Sequence, residues 1–202
     1  MNHSMTEVLR IPLSRMFALM LLATLLLTSS AWEGVSIITS VYFLLGCGLA
    51  GVASLGRLWC SLYIAGYKNT SLVTKGPYSV TRNPLYFFSF LGGAGVGLAT
   101  ETLSIPLAVI LLMMLYYPAV IKGEEKRLMD IHGEEFESYR RRTPVFFPKW
   151  SLLEEPQTYQ VNPRIFKKNI FGALWFIWLL GILELIEAMH EIGILPVFWE
   201  VF

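Results

Sequence analysis

Residues 35–55 read VSIITSVYFLLGCGLAGVASL, an unbroken run without a charged side chain. About 20 apolar residues in a helix cross the hydrocarbon core of a bilayer, so this run predicts a membrane span from Val35 to Leu55. Hydrophobic residues make up 54% of the chain and charged residues 15%, against about 45–50% and about 25% in soluble domains. Four further apolar runs are candidate spans: Ile11–Trp32, Leu85–Thr100, Ile105–Ile121 and Ile170–Ile186. The predicted fold class is an all-α, polytopic membrane helix bundle with about five transmembrane helices.

The basic residues are confined to three regions of the sequence. All 16 Lys and Arg residues lie in residues 1–15, 57–82 and 122–168, whereas the other connections carry acidic residues such as Glu33, Glu101 and Glu187. With five spans these three regions share one side, and the positive-inside rule predicts that this side, with the N-terminus, is cytoplasmic. A signal peptide is the alternative interpretation of residues 1–31, but a second span follows at once.

Charge and cysteine usage exclude several classes of function. The net charge of +1 gives no basic surface for nucleic acid. Cys47 and Cys60 form no disulfide or zinc pattern, and the three histidines are far apart in sequence. We therefore expect no metal site.

The third candidate span is rich in glycine. Gly93 and Gly97 form a GxxxG pattern, which lets helix backbones approach closely in lipid. Close helix packing is one interpretation, and room for a ligand beside the helix is the other.

The polar region before this span carries the first candidate site residues. Gly76-Pro77 is typical of a turn, Asn83 occupies an N-cap position, and Pro84 suits the first helical turn. A helix start favours anionic ligand groups, and Arg82 adds a fork-shaped donor for a carboxylate. A capped helix with an arginine that reaches the membrane surface is the equal alternative.

Two more polar regions follow the fourth span. Glu124 and Glu125 point about 100° apart on a helix, so they either contact a ligand that wraps the helix or pair with Lys126 and Arg127. Residues 133–148 begin as an amphipathic helix with aromatic residues at 136 and 139 and end in a proline-bounded, apolar segment, and three arginines lie together at 140–142. Such a cluster indicates lipid headgroup contact or the lining of an active site.

The order Leu-Val-x-x-Gly-Pro-Tyr-x-x-x-Arg-x-Pro-x-Tyr, then Glu-Glu-x-x-Leu, then Gly-x-x-Phe-x-x-Tyr-x-x-x-x-Pro-x-x-x-Pro resembles the isoprenylcysteine carboxyl methyltransferase and phospholipid methyltransferase superfamily over residues 56–148. The resemblance implies S-adenosylmethionine as the cofactor and a lipid or lipid-linked acceptor. The cofactor-binding residues predicted on this basis are Val73, Gly76, Tyr78, Arg82, Asn83, Pro84, Tyr86, Glu124 and Glu125.

The chain departs from the family pattern at three positions. Asn83 replaces the commonest histidine, Phe88 replaces a glycine, and Val145 replaces an arginine. Asn-Pro-x-Tyr is similar to the phosphatidylethanolamine methyltransferase branch instead. Without the arginine at position 145, Tyr139 and Arg142 become the predicted catalytic residues by proximity.

The resemblance implies a membrane methyltransferase domain, which we expect in residues 1–150, with its cofactor site in 71–86 and 122–148 facing the cytoplasm. Residues 151–202 are predicted to form a linker, an extra transmembrane helix and the interfacial tail Ile192–Phe202. The expected activity is methyl transfer to a lipophilic acceptor, similar to isoprenylcysteine carboxyl O-methyltransferases. Phospholipid N-methylation, an NADPH-dependent sterol-type membrane reductase and a non-catalytic scaffold are the alternatives. The acceptor and the oligomeric state stay open.

Overall fold

A computed structural model describes residues 23–31, 36–67 and 71–201. Within these residues three helical stretches are long and apolar enough to cross a membrane: Ile37–Ile64, Ser104–His132 and Pro163–Glu191. A shorter apolar helix, Pro84–Leu98, lies among them. The structure therefore confirms an all-α membrane helix bundle, and the chain is an integral membrane protein.

The helices in chain order are α1 (Ser36–Ile64), α2 (Pro77–Val80), α3 (Pro84–Leu98), α4 (Ser104–His132), α5 (Glu134–Arg142), α6 (Pro163–Ala173) and α7 (Trp175–Glu191). A short 3-10 turn, Trp150–Leu152, lies between α5 and α6. Residues 23–27 are also helical, and two short strands, β1 (Thr28–Ser30) and β2 (Trp199–Val201), complete the described elements.

The predicted spans have the right centres, but several of their ends are wrong. The helix α1 runs to Ile64 rather than Leu55, and α4 runs to His132 rather than Ile121. Both extensions carry polar residues that protein contacts hold, so hydropathy alone ended these spans too early. The first predicted span lies mostly outside the described residues. Its helix ends by residue 27, before β1, so the predicted end at Trp32 is also wrong.

The glycine-rich helix α3 lies at the centre of the packing. A Cβ built on Gly95 would lie 2.8 Å from the Gly46 carbonyl oxygen of α1, and one on Gly97 would lie 2.7 Å from the Pro106 Cα of α4. A Cβ on Gly92 would lie 2.4 Å from the Phe176 ring of α7. The space beside these glycines is filled by three neighbouring helices, which supports the packing interpretation of the predicted GxxxG.

The two strands join the first and last described parts of the chain. They pair in parallel, with Thr28 opposite Trp199 and Ser30 opposite Val201. The tail predicted to lie at the interface therefore includes a strand, which an apolar and aromatic composition did not distinguish from an interfacial segment.

The described basic residues, from Arg57 to Lys168, lie around the end of the bundle where α1 stops and α3 and α6 begin. We call this end the basic end. The opposite end carries Glu101, Glu187 and Glu191. The candidate site lies at the basic end.

Candidate active site

A cavity of about 460 Å³ opens at the basic end between α1, α3, α4 and the segment before α2. We call it the first cavity. Six predicted cofactor-binding residues line it: Val73, Tyr78, Arg82, Asn83, Tyr86 and Glu124. Its other polar or aromatic lining residues are Arg57, Tyr67, Ser71, Ser89, Tyr116 and Arg127. The predicted residues Gly76, Pro84, Glu125, Tyr139 and Arg142 are not part of the lining.

Gly76 forms the turn that carries Tyr78 to the cavity wall. Its φ of 59° and ψ of −130° lie in a region that L side chains rarely adopt. A Cβ there would lie 2.4 Å from the ring of Tyr63, so only glycine fits. Its N–H donates to the Glu154 carbonyl at 2.9 Å, and Lys75 pairs with the Glu154 carboxylate. Gly76 therefore positions the wall rather than lining it.

Residues 149–159 brace this turn and the end of α1. Trp150 stacks on Trp59 with ring centroids 6.4 Å apart, and the Tyr159 hydroxyl donates to the Tyr63 carbonyl at 2.8 Å. The Lys149 N–H donates to the Val80 carbonyl at 2.9 Å. These contacts cross the boundary predicted at residue 150 and make the following segment part of the cavity's support.

Arg82 ties the start of α3 to the segment after α5. Its Nε donates to Glu125 at 2.8 Å, and one terminal nitrogen donates to the Arg140 and Thr143 carbonyls at 2.8 and 2.6 Å. The Arg82 and Glu125 side chains are only 11% and 17% exposed. Two of the three guanidinium nitrogens are thus engaged within the protein, although Arg82 still borders the cavity.

Asn83 occupies the predicted N-cap position, but its side chain does not cap the helix. The amide instead donates to the Val145 carbonyl at 2.9 Å and reaches Glu125 at 3.5 Å. Pro84 lacks an N–H, and the N–H groups of Tyr86 and Phe87 donate to the Asn83 carbonyl. The helix start therefore offers fewer amide donors to an anion than the sequence predicted.

The side chains of Glu124 and Glu125 lie in different surroundings, as their 100° offset on the helix implies. Glu124 lines the first cavity. Glu125 faces Arg82 and Asn83, so its partners come from the two residues before α3 rather than from neighbouring Lys126 or Arg127. Glu124 is consequently the carboxylate that a ligand in this cavity would meet.

Tyr139 lies behind the cavity wall. It is 3% exposed, and its hydroxyl donates to the Tyr78 carbonyl at 2.6 Å. Burial raises the pKa of the Tyr139 hydroxyl, which favours its neutral form. Arg142 is exposed at the end of α5. The geometry gives Tyr139 a contact that fixes Tyr78, and a catalytic role for either residue stays a prediction.

Arg57 is a lining residue that the sequence interpretation missed. The span predicted to end at Leu55 placed it outside the membrane, whereas the observed α1 places it two turns inside the helix end. An ionisable residue inside a membrane span is expensive and usually functional. A continuous helical interpretation through Ile64 was the signal that could have found it.

Three buried polar atoms among the lining residues have no partner: the Arg57 Nε, the Tyr78 hydroxyl and the Tyr116 hydroxyl. An unsatisfied buried donor costs about 1–3 kcal/mol, so such groups require an explanation. Burial also raises the pKa of Tyr78 well above its ordinary value, which keeps its proton in place. Polar groups of this kind around one cavity fit a polar ligand there.

Comparison with known proteins gives relatives over the whole chain and over its centre. Residues 52–135 match the phospholipid methyltransferase family. The cobalt-zinc-cadmium resistance protein CzcN of Cupriavidus metallidurans is 42% identical over 92% of this chain and 85% of its own. The nickel-cobalt-cadmium resistance protein NccN of Alcaligenes xylosoxydans xylosoxydans is 39% identical over 94% and 88%.

A methanethiol S-methyltransferase of Crocosphaera subtropica is 36% identical over 43% of this chain and 34% of its own. No solved structure matches the chain. The matched residues include the second part of α1 and the whole of α2, α3 and α4, and every residue that lines the first cavity lies among them. The chain therefore belongs to the family of CzcN and NccN, and its match over residues 52–135 places it in the isoprenylcysteine carboxyl methyltransferase and phospholipid methyltransferase superfamily.

Proposed function

We propose that this chain transfers a methyl group from S-adenosylmethionine to a lipophilic acceptor at the membrane, in the manner of an isoprenylcysteine carboxyl methyltransferase. The observation that carries the proposal is the first cavity, whose lining combines Glu124 with three side chains that each have a buried polar atom without a partner. Its volume of about 460 Å³ lies within the ~300–1,000 Å³ of small-molecule and cofactor sites.

The chemistry of the lining matches each end of this cofactor. Glu124 suits an ammonium or ribose hydroxyls, and Arg57, Tyr78 and Tyr116 can donate to a carboxylate. Aromatic rings attract cations through their negative faces, and the Tyr86 and Tyr116 side chains line the same space as Glu124. A sulfonium would therefore find a favourable setting among them.

The cofactor, when bound, supplies an activated methyl group. Transfer would join this methyl carbon to a lone pair of the acceptor and leave the electron pair of the broken methyl–sulfur bond on sulfur. The chain's residues contribute alignment, which can supply about 7–11 kcal/mol, and exclusion of water. The bracing of the wall through Arg82, Gly76 and Tyr139 serves that alignment.

Two further parts of the proposal concern orientation and cofactor choice. By the positive-inside rule the basic end faces the cytoplasm, where a water-soluble cofactor is available. Glu124 in the lining suits the ammonium group of S-adenosylmethionine, a group that NADPH lacks. The relatives do not agree on one acceptor: one is named as a methanethiol methyltransferase, and two are named as metal resistance proteins. Carboxylate, amine and thiol acceptors therefore all belong in the test.

The experiment begins with direct binding of S-adenosylmethionine and NADPH, side by side, to the protein in lipid nanodiscs. Glu124→Gln should weaken S-adenosylmethionine binding by roughly tenfold or more, because it removes a charge-assisted contact of about 1.5–3 kcal/mol. Glu134→Gln, an exposed carboxylate on α5, is the control and should leave the affinity unchanged. Binding of NADPH alone, or equal affinity in both variants, would contradict the proposal.

Methyl transfer is then measured with cofactor labelled on its methyl group and a panel of membrane-soluble acceptors. Label that mild base releases as methanol identifies a carboxyl ester, and label that stays on the product identifies N- or S-methylation. Transfer that is absent in every case would leave the chain a cofactor-binding protein and refute the enzyme assignment.

A further inference from the structure

The residues that connect α5 to the 3-10 turn expose several apolar side chains, and we call residues 143–150 the 143–150 loop. Phe147 is 74% exposed, Trp150 is 58% exposed and Val145 is 44% exposed. None of these three residues lines the first cavity. Because exposed apolar patches mark contacts with a protein or a membrane, this loop offers a surface to a partner.

The 143–150 loop lies beside the membrane-spanning helices rather than beyond their ends. The ring centroid of Phe146 is 5.9 Å from that of Phe90, which lies six residues after the start of α3, or about 9 Å along its axis. The Phe146 centroid is also 6.5 Å from that of Tyr117, within the apolar part of α4. The exposed ring of Phe147 lies 5.3 Å from the Phe146 ring. An exposed aromatic ring at this level suits the boundary between lipid headgroups and acyl chains.

Basic side chains surround the exposed apolar ones. Residues 140–150 contain Arg140, Arg141, Arg142 and Lys149 and no acidic residue. Arg141 is 77% exposed, and Arg142 and Lys149 are also exposed. Glu137 pairs with the first two arginines on the surface, where such pairs are weak. Anionic lipids of the cytoplasmic leaflet attract clusters of this kind, so charge and apolar exposure together favour a lipid surface as the partner.

The backbone of the 143–150 loop is attached to the segment that begins α3. Four consecutive carbonyls, those of residues 143–146, accept hydrogen bonds from residues 81–83. The Arg82 backbone N–H donates to the Pro144 carbonyl at 2.9 Å, and the Asn83 side chain donates to the next carbonyl at 2.9 Å. Both donors belong to residues that line the first cavity. A displacement of the loop would therefore move part of the cavity wall.

We propose that the 143–150 loop is a membrane contact, which inserts Phe147 into the headgroup region at the basic end and binds anionic phospholipids through Arg142 and Lys149. The leaflet then holds the carbonyls of residues 143–146 in place and, through them, the start of α3. This contact depends neither on the cofactor nor on the methyl acceptor. The arginine cluster then binds lipid headgroups, which is one of the two roles that its sequence indicates.

A fluorophore attached at position 147 measures the depth of the loop in lipid nanodiscs. The label is placed on Phe147→Cys in a chain that also carries Cys47→Ala, since the remaining Cys60 is 0% exposed. Glu135→Cys, at an exposed position on α5, is the control. Quenchers on the lipid acyl chains should quench the label at 147 several times more strongly than the label at 135, and aqueous iodide should do the reverse. If iodide quenches both labels equally, the loop faces water and the proposal is wrong.

Hydrogen exchange tests the role of charge and the connection to the site. A basic residue near an anionic surface changes binding by about fivefold, so exchange at Arg82 and in residues 143–147 should be roughly fivefold slower in phosphatidylglycerol-containing nanodiscs than in phosphatidylcholine alone. The double variant Arg142→Gln/Lys149→Gln should lose this slowing, and the charge-retaining Arg142→Lys/Lys149→Arg should keep it. Equal exchange in the two lipids, or slowing that survives the loss of both charges, would refute the lipid contact. Slowing in the loop without slowing at Arg82 would refute its connection to the cavity wall.

Discussion

Glu125→Gln is the substitution that most directly tests how the candidate site is held together. It keeps the shape of the side chain and removes its charge, so Arg82 loses its anionic partner at 2.8 Å. Arg82 also holds the carbonyls of Arg140 and Thr143, and Asn83 reaches the same carboxylate. The charge of Glu125 therefore stabilises the whole junction between α3, α4 and the end of α5.

The expected loss in the free energy of unfolding follows from the burial of the Arg82–Glu125 pair. Removing one member of a fully buried ion pair costs about 3–5 kcal/mol, and exposed pairs are worth about 0–1 kcal/mol. The Arg82–Glu125 pair is nearly buried at 11% and 17% exposure, and the glutamine oxygen can still accept one hydrogen bond from Nε. We therefore expect a loss of about 2 kcal/mol in the free energy of unfolding, or ~4–8 °C in Tm for a chain of this size.

The assay is thermal unfolding of the purified protein in one detergent, combined with hydrogen exchange of residues 140–147. The control is Glu137→Gln, whose pairs with Arg140 and Arg141 are on the surface, where the arginines are 53% and 77% exposed. Glu125→Gln should speed exchange in residues 140–147 and the control should lower Tm by less than ~2 °C. Equal losses for the two variants would refute the assignment of Glu125 to a buried junction.

Two other substitutions test the packing. Tyr139→Phe should cost about 1–3 kcal/mol in thermal unfolding, because the buried Tyr78 carbonyl loses its donor. Burial raises the pKa of the Tyr139 hydroxyl in the folded protein. The neutral hydroxyl therefore contributes its full stabilisation below the usual tyrosine pKa of about 10. This stabilisation is lost as the pH rises above that value towards the raised pKa of the folded state. The variant should therefore lose less stability than the wild type above pH ~10, and equal alkaline losses would contradict this. Gly95→Val should destabilise the bundle by at least ~1–3 kcal/mol in the same unfolding assay, since a Cβ meets the backbone of α1. The open Gly48→Val should have little effect, and similar losses at both glycines would show that helix propensity rather than packing decides the result.

The sequence predicts the centres of the described spans well because the number of apolar residues that cross a bilayer is fixed by its thickness. It does not predict their ends, because polar residues can continue a helix when neighbouring elements satisfy them. Arg57 illustrates the point: Ser89 and Gly172 come from distant parts of the chain, and both accept from its guanidinium. Hydropathy contains no information about such partners.

The same distinction applies to the site. Local geometry separated Glu124 from Glu125, but only the tertiary structure shows which of them faces the cavity and which faces Arg82. The N-cap position of Asn83 was predictable from Pro84. The hydrogen bond that its side chain donates to the Val145 carbonyl was not, because Val145 is distant in sequence. The sequence predicts a residue's role where that role depends on its position in a helix. It does not predict a role that depends on a hydrogen bond to a distant residue.

The pairing of Thr28–Ser30 with Trp199–Val201 also sets an order of events during synthesis. The first strand leaves the ribosome about 170 residues before its partner, a delay of roughly 10–30 s at ~5–20 residues per second. Until β2 has been synthesised, β1 cannot form this pairing, so the helices can enter the bilayer before the sheet forms. Closure of this sheet is therefore a late step in biogenesis, and fusions at the carboxyl terminus would interfere with it after every span is already in the bilayer.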